Sequence, residues 1–451
     1  MALQRVFDGF EHVVAANQKF DRVVQHVQLF AQRVFQRPGQ RDDALLCDFH
    51  RRIVAACRLP VAKPEIPKMD ITQPLALLGG ISPATFMKRY WQKKPLLIRQ
   101  AIADFMPLLD RAELFELAAD DDVESRLIVR KPGAGAGNNE WRLKTGPIAR
   151  RALPALKQPG WTLLVQGVDL HSDAVRALMD QFRFVPDARL DDLMISYAVP
   201  GGGVGPHFDS YDVFLLQAQG RRQWQISRQT NLTLESDVPL KILANFQCEE
   251  TFVLEPGDML YLPPGYAHDG VALDECMTYS IGFRAPRRGE LAGELLQRLA
   301  EDALEEADNA LYHDASQPAV SVPGEIPPEL IKFAQAALQK ALSNPAVLKR
   351  ALGECLSEPK ANVWFDDGSA ASALTRSSKT GLRLDRRTKM LFEDKHVFIN
   401  GESYLASGRD GLLMKRFANE RILQPETLQR ASEGAKSLLS NWLEAGWIHE
   451  R

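Results

Sequence analysis

Between about Trp161 and Phe283 the apolar residues fall in short runs: "WTLLVQGV", "DDLMISYAVP", "DVFLLQAQG", "RQWQIS", "TFVLEPGDMLYLPP" and "MTYSIGF". Each run is rich in β-branched or aromatic residues and is bounded by Gly or Pro, which predicts strands. Little helical pattern separates them, so an antiparallel barrel or sandwich is expected rather than βαβ units. Upstream, Ser82 and Pro83 can cap and open a helix through Tyr90, and "PLLIR" reads as a buried strand. Downstream the period changes. "GELAGELLQRLAEDALEEADNALY" sets Leu291, Leu295 and Leu299 at helical spacing. A proline-rich gap, "SQPAVSVPGEIPP", precedes two further helical patterns, "ELIKFAQAALQKALSN" and "AVLKRALGECLS". A single apolar stripe on such helices suits either a dimerisation surface or packing on the barrel. The chain closes on "KMLFEDKHVFINGESYLA", a hairpin with Asn400 and Gly401 in a type I′ turn, and two more helical patterns. Hairpin plus helices resembles a winged helix. No basic, groove-filling helix stands out, so interaction or scaffold use is expected rather than nucleic-acid binding.

The first stretch is unlike the rest. It ends in the proline-spaced, linker-like "PVAKPEIPK", and "MDITQPLALLGG" then reads as a fresh domain start. One reading starts natural translation at Met69; the other is an amphipathic helix using Val13, Val14, Phe20, Val23, Val24 and Val27. The expected organisation is an atypical extension and linker over 1–68, a catalytic domain over 69–288, a helical region over 289–360 and a winged-helix-like unit over 361–451.

Composition narrows the class. The chain has 451 residues, 45% hydrophobic and 25% charged, as soluble globular proteins do. Its formal net charge of −3 gives no global pull toward nucleic acid or membranes. No run of eighteen apolar residues suggests a membrane span. The five cysteines (Cys47, Cys57, Cys248, Cys276, Cys355) form no CxxC pair, which fits a reducing, cytoplasmic setting and argues against a zinc–thiolate site.

The chemistry gathers in "GGGVGPHFDSYDVFLLQAQGRRQW". Residues i and i+2 of a strand share a face, so His207 and Asp209 should project together, with Phe208 buried opposite. An imidazole and a carboxylate inside a barrel are costly unless partnered, and a metal ion removes that cost. "EPGDMLYLPPGYAH" supplies His268 after a strand and a Pro-Gly turn. Two histidines and one carboxylate make the facial triad of non-heme Fe(II) oxygenases, whose open positions take a chelating cosubstrate and dioxygen. Arg221 and Arg222 open the next strand. One of them can face inward and hold the far carboxylate of 2-oxoglutarate; alternation alone does not say which.

"WQKKPLLIR", "DDLMISYAVPGGGVGPHFDSYDVFLLQAQGRRQWQI" and "EPGDMLYLPPGYAHDGVALDECMTYSIGFRAP" together resemble the bacterial ribosomal oxygenases of the JmjC, cupin-fold group. The likeness runs from about Met69 to the C-terminus and has no counterpart for 1–68. It implies a mainly β fold with helices: a double-stranded β-helix (the cupin/JmjC jelly roll), a helical dimerisation region and a winged-helix-like C-terminal domain. It implies Fe(II) on His207, Asp209 and His268. Arg222 then falls on the residue that binds the C5 carboxylate of 2-oxoglutarate, and Ser196 on a hydroxyl of the same pocket. Relatives that hydroxylate histidine usually carry lysine at that basic position, so arginine favours the bacterial branch. The implied activity is 3-hydroxylation of an arginine in a large-subunit ribosomal protein by a 2-oxoglutarate- and O2-dependent, homodimeric dioxygenase. Asp212, Tyr211 and Tyr266 are the candidates to meet the substrate guanidinium. The other readings are a JmjC-type histidyl hydroxylase or demethylase, or a non-oxygenase metal-binding cupin.

Overall fold

The strand runs build two antiparallel sheets with a shared interior. The computed structural model describes residues 68–132, 139–305, 310–368 and 379–451; the expected N-terminal extension lies, up to residue 67, outside them. The large sheet runs in the order β1 (Leu96–Ile98), β10 (Met259–Leu262), β7 (Asp212–Gln219), β12 (Cys276–Phe283), β5 (Leu190–Ala198), β4 (Trp161–Val165), β2 (Ser125–Pro132) and β3 (Asn139–Thr145). The small sheet runs β6 (His207–Phe208), β11 (Ala267–Ala272), β8 (Arg222–Ser227) and β9 (Glu250–Leu254). This is the double-stranded β-helix expected from the sequence.

The continuous apolar runs have a simple cause: the large sheet is covered on both faces. On β7, Phe214, Leu216 and Ala218 enter an outer core, where they meet Phe86 of α1 (Pro83–Arg89), Leu114 and Phe115 of α2 (Arg111–Leu117), and Val175, Leu178 and Met179 of α3 (Asp173–Asp180). The alternate residues Val213 and Leu215 turn inward and pack with Trp224 and Ile226 of β8, Leu254 of β9, and Leu260 and Leu262 of β10. Each fully buried large side chain contributes roughly 1.5–3 kcal/mol, so both faces hold the sheet rigid beneath the site. The sequence-level start signal of α1 is realised: Ser82 Oγ accepts from the Thr85 amide, and Pro83 is the first helical residue.

Three helices follow the barrel: α4 (Arg288–Glu305), α5 (Pro328–Leu342) and α6 (Pro345–Ser357). Leu299 of α4 packs on Val347 and Ala351 of α6. The final unit holds β13 (Leu382–Leu384), β14 (Met390–Glu393), β15 (His396–Ile399), β16 (Glu402–Leu405), α7 (Gly408–Glu420), β17 (Ile422–Leu423), α8 (Pro425–Gln429), α9 (Glu433–Glu444) and β18 (Ile448–Glu450). Where the sequence predicted one hairpin, β14, β15 and β16 form a meander. The turn at Asn400 (φ 49°) and Gly401 (φ 88°) is the expected one, and Asp394 (φ 45°) makes the other. Helix α6 lies on this meander so closely that a Cβ on Gly353 would come within 2.3 Å of the Phe398 ring.

Candidate metal centre

Strand β6 is only two residues long and pairs with β11, setting His207 directly opposite His268. Their rings lie 4.2 Å apart, centroid to centroid. Asp209 sits just past the strand end, where its backbone carbonyl accepts from the Gly265 amide at 2.7 Å. That bond ties the histidine-bearing turn to the aspartate-bearing bend. One ligand-type atom from each of His207, Asp209 and His268 lies within 4.8 Å of the others. The expected burial of Phe208 on the opposite face does not hold. The strand ends before alternation can extend to Asp209, and Phe208 is half-buried, lining a cavity that lies between the two sheets.

Both imidazoles are held in one orientation. Nδ1 of His207 lies 2.9 Å from the Gly205 carbonyl, and Nδ1 of His268 lies 2.9 Å from the Tyr266 carbonyl. A carbonyl only accepts, so each Nδ1 carries a proton, which leaves Nε2 as the ring atom available to a metal. Burial, then the neighbouring His207, brings the His268 pKa down to about 4, so its ring is neutral near pH 7. His268 Nε2 is 3.7 Å from Asp209 Oδ2. Two imidazole nitrogens and one carboxylate are the donor set that suits Fe(II).

Beside this triad is a cavity of about 460 Å³ between the two sheets. The structure separates the paired arginines. Arg221 is exposed and bonded through Nε to Asp274 at 2.9 Å. Arg222 is 4% exposed and lines the cavity. Its Nη1 donates to Ser196 Oγ at 2.9 Å and to Thr278 Oγ1 at 3.2 Å. Its Nε–H is buried with no partner, and no carboxylate among the described residues is paired with it. A buried guanidinium without an anion is costly. A dicarboxylate reaching from the metal to Arg222 resolves both deficits, so the residues fit 2-oxoglutarate as well as Fe(II).

The three candidates for the substrate guanidinium separate. Tyr211 lines the cavity. Asp212 does not: it faces the outer core, where it accepts from Tyr261 Oη at 2.6 Å, Gln92 Nε2 at 3.0 Å and Arg189 Nη2 at 3.3 Å. It braces the strand. Tyr266 is among the aromatics packed on the inner core and gives the triad only its carbonyl. Sequence reasoning missed Asp192, Thr278 and Ser280. Asp192 lines the cavity two strand steps from Ser196, so the same period-two count would have found it. Its Oδ2 accepts from Gln166 Nε2 at 2.8 Å and Lys360 Nζ at 2.9 Å. Its Oδ1 lies in a corner beside Gly282 and the Tyr211 ring.

Known proteins fit this geometry. Residues 177–291 match the JmjC domain, and residues 338–449 match the ROXA-like winged helix. The chain is 36% identical over 282 residues to the ribosomal protein uL16 3-hydroxylase of Escherichia coli (strain K12), covering 61% of this chain and 71% of that protein. It is 35% identical over 216 residues to a probable ribosomal oxygenase of Haemophilus influenzae, covering 47% of this chain and 52% of that one. A solved structure of YcfD, a ribosomal oxygenase from E. coli in complex with cobalt and 2-oxoglutarate, superposes with a TM-score of 0.69 at 30% identity, over 81% of this chain and 97% of that one. By sequence and by fold, this chain belongs to the JmjC-domain ribosomal oxygenases and is a 2-oxoglutarate-dependent dioxygenase.

Proposed function

We propose that this chain hydroxylates C3 of an arginine in the ribosomal protein uL16, with His207, Asp209 and His268 holding Fe(II) and with Arg222 and Ser196 seating the C5 carboxylate of 2-oxoglutarate. One observation carries the reading: two histidines and an aspartate converge beside a buried guanidinium that no carboxylate among the described residues pairs with. The name of the E. coli relative supplies the substrate class.

Iron(II) bound there supplies dioxygen activation, in which 2-oxoglutarate is oxidised to succinate and carbon dioxide while one substrate carbon gains a hydroxyl. The chain's own residues do the rest. The Gly205 and Tyr266 carbonyls fix the tautomers that aim both Nε2 atoms at the ion. Ser196 and Thr278 orient the Arg222 guanidinium, whose remaining N–H groups face the cosubstrate. Asp192 Oδ1, with Tyr211 beside it and only a glycine at 282, leaves an acidic corner for a flat cation. The sheets exclude water from the reacting carbon.

We assign catalysis to 69–288, with 289–360 and 361–451 as the helical and winged units. Helix α5 buries none of its residues and exposes Leu330, Ile331, Phe333, Leu338 and Leu342, which a second copy would cover in a homodimer. No helix among the described residues is long and apolar enough to cross a membrane. A ribosomal-protein substrate, as in the name of the E. coli relative, supports a cytoplasmic setting.

The test is incubation of the purified chain with Fe(II), 2-oxoglutarate and a uL16 peptide, followed by mass spectrometry. A gain of one oxygen on arginine, with matching succinate, is expected. Formaldehyde release would indicate demethylation, and oxygen on histidine would indicate the histidyl branch.

A further inference from the structure

The large sheet has an open edge beside the catalytic cavity. Among the described residues, strand β3 ends the sheet and pairs only with β2. The phase of its ladder follows from one bond. Arg126 stands opposite Thr145, so Ser125 stands opposite Gly146, and the Gly146 amide donates to the Ser125 carbonyl at 2.7 Å. Hydrogen-bonded pairs recur every second residue in an antiparallel ladder, so the next are Leu127 with Lys144, Val129 with Arg142 and Lys131 with Glu140. The amides and carbonyls of Trp141, Leu143 and Thr145 therefore point away from β2. Among the described residues these three amides have no partner beyond the ladder. Residues 142–145 are all exposed, so nothing described covers the edge.

This edge is continuous with the site. Leu143, with Ile128 and Arg126 of β2, lines the same cavity as His207, Asp209 and His268. Trp141 packs with Ile128, Leu164 and Ile242 behind it, which holds the β2–β3 pair in place. A polypeptide whose target side chain enters the cavity must leave along a wall, and this wall offers three unpaired backbone groups at strand spacing.

We infer that β3 docks the substrate polypeptide by strand addition: an extended stretch flanking the target residue pairs with the outward amides and carbonyls of Trp141, Leu143 and Thr145. The inference rests on the substrate reading above. Main-chain pairing of this kind gives affinity without demanding sequence, leaving selectivity to the side chain in the cavity. The exposed charges of Arg142 and Lys144 protect the edge against pairing with free copies of the chain. A target already anchored in the cavity pairs intramolecularly and overcomes that protection.

The experiment is an N-methyl scan of a uL16 peptide, one backbone amide at a time, with kcat and KM read for each. Strand addition predicts a rise in KM of roughly tenfold, the loss of one backbone hydrogen bond, at alternate positions on one side of the target arginine, with kcat unchanged. Positions between them should be indifferent. On the enzyme, Leu143→Pro removes an outward amide while sparing the β2 ladder. Peptide binding to its Mn(II)-loaded form should weaken by roughly the same factor, and Leu143→Ala should bind better than Leu143→Pro. A flat scan with a peptide that is otherwise hydroxylated, or equal binding by Leu143→Pro and wild type, overturns the docking edge alone. An unmethylated peptide that is never hydroxylated overturns the substrate reading and the docking edge with it.

Discussion

The guanidinium of Arg222, carried by the small sheet, donates to the hydroxyl of Ser196 on the large sheet at 2.9 Å. The bond spans the barrel and fixes a cation that no carboxylate among the described residues pairs with. Arg222→Ala removes the cation and should raise the KM for 2-oxoglutarate by roughly 30-fold or more, the worth of a charge-assisted pair. Arg221→Ala should change it less than twofold, because Arg221 is exposed and held by Asp274. Binding of the unreactive analogue N-oxalylglycine to the Mn(II) form gives a second readout. Equal effects of the two substitutions would reject the assignment.

Ser196→Ala should act more weakly and in the same direction. The arginine keeps Thr278 as an acceptor at 3.2 Å, so it stays oriented, and roughly 1 kcal/mol of cosubstrate binding should go. The KM for 2-oxoglutarate would rise about fivefold with little change in kcat. An unchanged KM would leave the hydroxyl a purely internal brace.

His207→Ala, Asp209→Ala and His268→Ala should each abolish turnover. The folded chain should persist, since all three side chains line the cavity. The sharper readout is thermal. Mn(II) should raise the melting temperature of the wild type through linkage and leave the Asp209→Ala variant unmoved. A metal-induced rise that survives Asp209→Ala would place the ion elsewhere.

How much of this could be read from the residues varies with the distance each inference spans. The strands of the large sheet were legible because both faces are buried, which leaves unbroken apolar runs. His207 and His268 were legible because a turn of glycine and proline leads into each. The bend that carries Asp209 was not, since β6 stops after Phe208 and alternation fails there. Asp212 was misplaced for a related reason. It sits three residues past Asp209 but begins β7, on the far face of a different sheet. The choice between Arg221 and Arg222 needed the register of β8 against β11, a pairing of residues more than forty positions apart in the chain.

That register also sets Gly270 opposite Trp224. A Cβ on Gly270 would come within 2.6 Å of the indole ring, whose centroid is 5.8 Å from that of His268. Gly270→Ala must displace the indole that packs beside His268. The expected cost is about 1–3 kcal/mol of stability, as for an overpacked core, with weaker Mn(II) binding. Combining Gly270→Ala with Trp224→Leu should restore metal binding, and failure of that rescue would show that the indole is not what moves.

Asp169 is almost wholly buried, and its Oδ1 accepts from the Leu193 amide at 2.8 Å. Burial raises its pKa to about 6, against the pull of Arg176, the Leu193 amide and Lys360, with Asp192 adding to the rise. A carboxyl whose folded pKa lies above its unfolded value of 3.8 favours folding most fully at low pH. That advantage is lost as pH rises through about 6, where the folded chain must hold a buried charge. Asp169→Asn keeps the acceptor oxygen and cannot ionise. Its stability relative to wild type should therefore increase across the interval from pH 5 to pH 8, by about 1–3 kcal/mol. Denaturant midpoints at the two pH values measure this directly. A difference that stays flat with pH would mean that Asp169 ionises at its ordinary value, with Arg176 and Lys360 outweighing the loss of water.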